Sequence, residues 1–323
     1  MWISRLINTW TMGLFALIAS HSLYAGCQAS LVSLDAISSQ NTYDVFATGQ
    51  SALVQNYRLR SDIQGEECSI EVEIDLDKGA SSLRSTNQQQ IQFEWQGSNG
   101  YQKAGRWYIT LSESKPVTTF QIKYPAKQWL DAGRFSGELK ATLSGTSLLQ
   151  NQSEQELSLN IEAVVLPSAK IQFYGLSQQH YDLDIGELTA NKVIHSAPKL
   201  WVQSTASYSI SIESMYRGVM RHQSADAQWD IAYQMLLDNQ PIELSKTSSQ
   251  WHSDQATSGR PIPITFIVGD TNRKPGGSYN DTLHISIEPN LAQHSTAQHS
   301  TAQHSTATIM GISTKTTRIK KHL

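Results

Sequence analysis

The residues best suited to forming a covalent or metal-binding site are Cys27 and Cys68, the only two cysteines among the 323 residues. Two thiols most simply form one disulfide if the protein is exported. The loop that it closes would hold about 40 residues, which stabilises a fold by roughly 3–4 kcal/mol in the chain-entropy model. A metal site would need more ligands of this type. We therefore predict a disulfide between Cys27 and Cys68.

The histidines and carboxylates show no pattern that is typical of catalysis. None of the ten histidines stands at metal-binding spacing from another ligand, and no Gly-x-Ser-x-Gly nucleophile motif occurs. The acidic residues Glu71, Glu73 and Asp75 alternate with apolar ones, as on the solvated face of a strand. We expect no catalytic residue, no metal site and no cofactor, and we predict that the protein is not an enzyme.

Charge is sparse and unevenly distributed. Charged residues make up 16% of the chain, against a typical share of about 25%. Of the 25 basic residues, one lies in residues 1–25 and four lie in residues 291–323, so residues 26–290 carry 20 bases against all 28 acids, a net charge of −8. A body this acidic is not expected to bind nucleic acid.

The N-terminus has the layout of a secretory signal peptide. Arg5 precedes the apolar run Met12–Ala19, and the small residue Ala25 ends the segment. This order predicts cleavage near Ala25 and export of the mature protein. Two alternatives stay open: an uncleaved anchor, and a lipid on Cys27, since Tyr24–Cys27 partly matches the lipoprotein pattern.

Alternation of apolar and polar residues dominates the rest of the chain, whereas helical periodicity is nearly absent. Short alternating runs separated by turns predict an all-β protein built from β-sandwiches. The clearest runs are Ile70–Leu76, Ile91–Trp95, Trp107–Leu111, Phe120–Tyr124, Leu157–Val165, Tyr208–Ile212, Ile262–Val268 and Leu283–Ile287.

An internal echo divides these runs between two units. The segment Ala132–Leu143 resembles Gly276–Ile287: each has a glycine turn, an aromatic residue and an alternating strand, and Phe135 corresponds to Tyr279, 144 residues later. We therefore predict two related sandwiches in tandem, residues 26–166 and residues 167–290.

The two copies differ in the sequence that comes after the echo. Leu157–Val165 can close the first sandwich, whereas Pro289 ends the strand in the second and a low-complexity tail, residues 291–323, begins. The second sandwich is therefore expected to lack its final strand and to leave unpaired edges. The tail repeats Ala-Gln-His-Ser-Thr three times over residues 292–306. We interpret it as a disordered extension; metal binding by its histidines and crowding of the open groove are alternatives.

The second copy resembles the spore coat protein U domains that form the subunits of archaic chaperone–usher pili. The resemblance covers residues 168–290 and, more loosely, residues 27–145. Its pieces, in chain order, are the Cys27/Cys68 pair, Tyr43-Asp44, Gly133–Leu143, Phe173–Gly175, Leu200–Ser204, Tyr208–Ile212, Ile231–Tyr233 and Gly277–Leu283.

The resemblance implies an immunoglobulin-like pilin domain without its final strand. A periplasmic chaperone would lend a strand during export, an outer-membrane usher would pass the subunit on, and a neighbouring pilin would then donate the missing strand. The strand-acceptor edge would include Tyr279, Leu283, Ile285 and Ile287.

The same resemblance indicates a two-domain tip adhesin at the cell surface. Family subunits carry a donor segment ahead of the first cysteine, whereas Cys27 is the second residue after the predicted cleavage, so this subunit would accept a strand but give none. Adhesion to a host or abiotic surface would then use a loop with Trp95, Tyr101 and Trp107. The alternative for this segment is an ordinary hairpin with both tryptophans in the core.

Two other functions stay open. A periplasmic pilus chaperone also has two immunoglobulin-like domains, but it needs a basic cleft between them, and the junction Val165–Lys170 offers only Lys170. An exported carbohydrate-binding or hydrolytic β-protein would be favoured if one cleft gathered the acidic and aromatic residues.

Overall fold

A computed structural model describes residues 27–65, 67–143 and 154–290, and the backbone of residues 309–313. The predicted signal peptide, residues 1–25, lies outside the described residues. Strands account for nearly all the regular structure, and the described part of the chain has one short 3-10 helix, Ala227–Trp229. No helix among these residues is long and apolar enough to cross a membrane. The all-β prediction is confirmed.

The N-terminal unit, residues 28–165, places two sheets around one hydrophobic cluster. The smaller sheet has the order β1-β3-β10-β7, and the larger has the order β2-β12-β11-β4-β9-β8, with β5 and β6 at its side. The strands are β1 (Gln28–Ala36), β2 (Thr42–Tyr43), β3 (Ser51–Gln64), β4 (Ser69–Leu76), β5 (Ser82–Ser85), β6 (Gln90–Gln92), β7 (Glu94–Gly97), β8 (Gly100–Lys103), β9 (Arg106–Ser112), β10 (Val117–Pro125), β11 (Gly133–Leu143) and β12 (Gln155–Val165).

The C-terminal unit, residues 169–313, repeats this plan with a second cluster. Its smaller sheet has the order β13-β16-β22, and β24 is central to the larger one. The strands are β13 (Ala169–Phe173), β14 (Tyr181–Asp184), β15 (Val193–Ile194), β16 (Leu200–Ser204), β17 (Tyr208–Ser214), β18 (Val219–His222), β19 (Ile231–Leu237), β20 (Gln240–Ile242), β21 (Ser249–Ser253), β22 (Thr257–Ile262), β23 (Ile264–Val268), β24 (Tyr279–Pro289) and β25 (Ile309–Ser313).

Alternation explains why these segments are strands that cover a core. In β4 the apolar residues Ile70, Val72 and Ile74 are fully buried, and in β24 Leu283 and Ile285 are too. A strand presents successive side chains to opposite faces, so each run buries one face against the opposing sheet. The fold prediction of two tandem β-sandwiches is confirmed.

The junction between the units is short and hydrogen-bonded. The first cluster ends at Val165 and the second begins at Ala169. Thr205 holds the connecting segment, because its hydroxyl donates to the Leu166 carbonyl at 2.9 Å and its carbonyl accepts from the Ala132 amide at 2.7 Å.

The structure departs from the sequence expectation at the end of the C-terminal unit. The edge of β24 was expected to stay unpaired, yet β25, from the low-complexity tail, pairs with it. The interpretation of the whole tail as a disordered extension is therefore wrong for residues 309–313. The short run Ile-Met-Gly-Ile-Ser is apolar enough to join a sheet, although nothing adjacent in the sequence marks it as a strand.

Candidate strand-acceptor site

The candidate site is the place beside β24 that β25 occupies, here called the final-strand position. On its other side β24 is already paired: Leu283–Pro289 lies against β17, and Tyr279 and Asn280 lie against β18. The site is therefore a single edge of a strand that is otherwise fixed in the sheet.

β25 joins two strands across this position. It runs antiparallel to β24, with five paired residues from Asn280↔Ser313 to His284↔Ile309. It also runs parallel to β14, with four pairs from Tyr181↔Met310 to Asp184↔Ser313. Within the described residues, β14 has no other strand partner. β25 thus connects β14 to the sheet.

The residues predicted to form the acceptor edge all face the core. Tyr279, Leu283, Ile285 and Ile287 are each at most 2% exposed and belong to the second hydrophobic cluster. Leu283 pairs with Met310 of β25, whereas Tyr279, Ile285 and Ile287 lie outside the stretch of β24 that β25 covers. Their role in accepting a strand from another protein stays a prediction.

A buried carboxylate fixes the start of β24, which sequence reasoning missed. Asp281 is 1% exposed. Its Oδ2 accepts from the hydroxyls of Ser214 and Tyr233, both at 2.6 Å, and its Oδ1 accepts from the Tyr216 amide at 3.0 Å. Burial raises the pKa of Tyr233 well above its usual value, which keeps the donating hydroxyl protonated. An acidic residue at an inward position of an alternating strand was the signal for this network.

The predicted surface loop crosses from one sheet to the other, and its two tryptophans are buried. Trp95 lies in β7, which pairs with β10 of the smaller sheet, whereas Trp107 lies in β9, which forms a hairpin with β8 in the larger sheet. Trp95 and Trp107 are each 7% exposed, and the Trp95 Nε1 donates to the Gly105 carbonyl at 2.9 Å. Trp95 packs among Phe93 and Phe120. Their burial corrects the expectation that both rings are available to a surface and confirms the alternative that both tryptophans belong to the core, because alternation in β7 and β9 turns them toward the core.

Tyr101 is the exposed member of the three, at 49%. Its ring stacks on that of Tyr108, with centroids 5.3 Å apart. The Tyr101 hydroxyl donates to Glu71 and the Tyr108 hydroxyl donates to Glu73, both at 3.0 Å. The hydrogen bond to Glu71 raises the pKa of Tyr101. The result is an aromatic surface edged by carboxylates.

The acidic face of β4 is less solvated than expected at one end. Glu73 forms an ion pair with Arg106 at 3.1 Å, with both side chains partly exposed. Asp75 is buried at 9% exposure and accepts from the Gly79 amide. The prediction of a solvated face is therefore wrong for Asp75, whose carboxylate caps the turn after β4.

The predicted disulfide is confirmed. Cys27 and Cys68 are bonded, with their Cα atoms 5.2 Å apart. Cys27 precedes β1 and Cys68 precedes β4, so the bond joins the two sheets of the N-terminal unit. No cluster of three or more potential metal ligands occurs in the part of the chain that the structure describes. His294, His299 and His304 of the tail lie outside that part.

Comparison with known proteins yields structural neighbours of low identity. No protein-family model and no curated protein sequence matches the chain. The CupB6 tip adhesin from Pseudomonas aeruginosa is 10% identical, with a TM-score of 0.39 over 90% of this chain and 98% of that chain. The CsuC–CsuE chaperone–tip adhesion subunit complex from Acinetobacter baumannii is 12% identical, with a TM-score of 0.40 over 74% of this chain and 91% of that chain.

CfaE, the adhesive subunit of CFA/I fimbria of enterotoxigenic Escherichia coli, is 11% identical, with a TM-score of 0.40 over 91% of this chain and 88% of that chain. All three neighbours contain an adhesive or tip subunit. The two-sandwich fold follows from the strand ladders of this chain itself.

Proposed function

We propose that this protein is an exported tip subunit of a fimbria, in which the N-terminal unit adheres to a surface and the C-terminal unit accepts a strand. The observation that carries the proposal is the origin of the strand beside β24. That strand does not follow β24 directly but lies beyond residues 290–308. A sandwich completed by a distant segment is suited to β-augmentation, in which an incoming strand pairs with an edge and fills pockets with alternate side chains.

The N-terminal unit supports this division of labour. Its own final strand, β12, pairs with β11 along eleven residues, from Gly133↔Val165 to Leu143↔Gln155. It therefore needs no strand from another protein. In the proposal, residues 26–166 form the adhesin domain and residues 167–290 form the pilin-like domain. The partners are a periplasmic chaperone, an outer-membrane usher and a neighbouring pilin.

The strand-acceptor role can be tested by cross-linking at a chosen position on β24. His284 is exposed and pairs with Ile309 at the final-strand position. A His284→Cys variant, coexpressed with an archaic-type periplasmic chaperone carrying a single cysteine in its donor strand, is expected to form a mixed disulfide. The matched control is Lys140→Cys at the corresponding position of β11, which β12 covers.

Cross-linking of His284→Cys without cross-linking of Lys140→Cys supports the proposal. Equal reaction at both positions, or at neither, contradicts strand acceptance at β24.

The adhesive role can be tested at the exposed Tyr101. A Tyr101→Ala variant is expected to reduce adhesion to polystyrene severalfold without loss of stability, because the ring is half exposed. Val32→Ala is the matched control, since Val32 is 51% exposed on the same unit. Equal adhesion by the two variants would contradict a role for this surface.

One observation favours a second function. The final-strand position is filled by the chain's own residues, as it would be in a self-contained exported binding protein. That alternative predicts that the protein is a stable monomer that binds no chaperone.

A further inference from the structure

We infer that residues 309–313 are a built-in stopper: the chain completes its own C-terminal unit with its tail until a strand from another subunit replaces it. The inference deepens the proposed function and rests on it for the replacement step. The completion step rests on the strand pairing alone.

The position of β25 matches that of a true final strand. With the offset of 144 between the units, Lys140 in β11 corresponds to His284 in β24. Lys140 pairs with Ser158 of β12, and His284 pairs with Ile309 of β25, both antiparallel. β12 is also parallel to the short strand β2, as β25 is to β14. The tail therefore occupies the place and direction that the N-terminal unit gives to its last strand.

The tail pairs with its neighbour over a shorter stretch than the last strand of the N-terminal unit does. β25 pairs with β24 over five residues, whereas β12 pairs with β11 over eleven. Gly311 lies in the middle of β25, and glycine in a strand weakens it because it adds backbone entropy and no side-chain packing. A strand that paired along all of β24 would make about twice as many pairs. Such a strand can displace the tail.

The sequence separation between β24 and β25 exceeds what their pairing requires. Two antiparallel neighbours can be joined by two to five residues, yet residues 290–308 separate β24 from β25. The free-energy cost of closing a loop rises slowly with its length, so the nineteen residues between the two strands add little to the cost of pairing them. The tail can thus pair with β24 of its own chain and be replaced there by a strand of another chain.

The first test compares the full chain with variants in the tail. Gly311→Pro removes a backbone donor from β25 and should lower the Tm of the C-terminal unit by about 10 °C or more. Gln298→Pro, in the repeat region and outside β25, is the matched control and should leave Tm within about 2 °C. Equal Tm for both variants and the unmodified protein would overturn the inference.

The second test supplies the tail as a separate peptide. The chain is ended at Asn290, and a synthetic peptide of residues 307–315 is added in excess. The truncated protein should regain most of its lost Tm with this peptide, and none with a peptide that carries Gly311→Pro. If the shortened chain has the same Tm as the full chain and the peptide does not change that Tm, the tail does not complete the unit.

If the truncated protein fails to fold, register-specific cross-linking replaces this test. His284→Cys with Ile309→Cys places two thiols at paired positions, and these should oxidise at least about tenfold faster than an out-of-register pair, Glu288→Cys with Ile309→Cys. Equal rates contradict the pairing.

The outcomes separate this inference from the proposed function. If the truncated protein binds the tail peptide but no pilin strand replaces that peptide, then the tail completes the C-terminal unit. The replacement step and the fimbrial role would both be contradicted. If the protein binds the chaperone but Gly311→Pro leaves its Tm unchanged, then the fimbrial role is supported and the completion of the C-terminal unit by the tail is contradicted.

Discussion

The two units share one plan but differ in three features. These are the segment that carries a carboxylate contact, the bond near the start of the unit, and the origin of the last strand. In the N-terminal unit, Asp77, in the turn after β4, accepts from the Glu138 amide of β11 at 2.9 Å. In the C-terminal unit the direction is reversed: Asp281, on β24 itself, accepts from the Tyr216 amide in the turn after β17. The same strand and turn are joined, but the carboxylate has moved from one to the other.

The residue of β11 that faces Asp77 is a glycine. Gly137 occupies the place in β11 that Asp281 occupies in β24, given the offset of 144. A Cβ at Gly137 would lie 2.7 Å from Asp77 Oδ2, so the glycine leaves room for the approaching side chain. The contact is thus a property of the fold, and either segment can provide it.

The bond at the start of each unit also differs. The N-terminal unit has the disulfide between its two sheets, whereas the C-terminal unit has hydrogen bonds between Ser168 and Thr205, which lie one residue beyond the Ala169↔Ser204 pair of β13 and β16. The Ser168 amide donates to Thr205 Oγ1 at 2.8 Å, and the Thr205 amide donates to the Ser168 carbonyl at 2.9 Å. The N-terminal unit thus has a covalent bond between sheets where the C-terminal unit has hydrogen bonds within one sheet.

The largest expected effect comes from removing the covalent bond. Replacing both Cys27 and Cys68 by serine should lower the free energy of unfolding of the N-terminal unit by about 4 kcal/mol, because a closed loop of this length restricts the unfolded chain. Calorimetry should show the N-terminal transition shifting while the C-terminal transition stays. A shift of both transitions together would mean that the units do not unfold independently.

The carboxylate comparison predicts the next effect. Asp281→Ala leaves the Ser214 and Tyr233 hydroxyls without their buried acceptor and should cost about 3 kcal/mol. Asp77→Ala, at an exposed turn, should cost about 1 kcal/mol. Urea unfolding of both variants measures the difference. Equal costs would contradict the assignment of the buried carboxylate as the stronger contact.

The hydrogen bonds between Ser168 and Thr205 should show the smallest effect. Thr205→Val keeps the shape of the side chain but removes the oxygen that accepts from the Ser168 amide, at an expected cost of about 1–2 kcal/mol. The same urea titration detects it, with Thr189→Val, at an exposed position, as the control. A cost as large as that of the disulfide variant would refute the ranking.

These comparisons show which features the sequence makes predictable. The disulfide follows from having two cysteines in the chain. The correspondence between β11 and β24 follows from the local glycine–aromatic pattern around Phe135 and Tyr279. Both signals are contained in short segments. Alternation likewise predicts which face of each strand is buried.

Features that depend on distant segments escaped prediction. The tail strand β25 is five residues long, and its partners β14 and β24 are chosen by the shape of the sheet rather than by neighbours in the sequence. Burial of Trp95 and Trp107 was one of two open interpretations, because an aromatic residue beside glycines fits both a loop and a core. The donors to Asp281 come from other strands, so only its inward position in the alternation marked it.

The most direct test of the account is hydrogen exchange at the two equivalent strands, in the full chain and in the chain ended at Asn290. If the tail supplies the last strand of the C-terminal unit, amides of β24 should exchange at least about tenfold faster after truncation, while amides of β11 keep their protection under β12. If β24 keeps its protection without the tail, the C-terminal unit is complete without β25, and the central difference between the two units is contradicted.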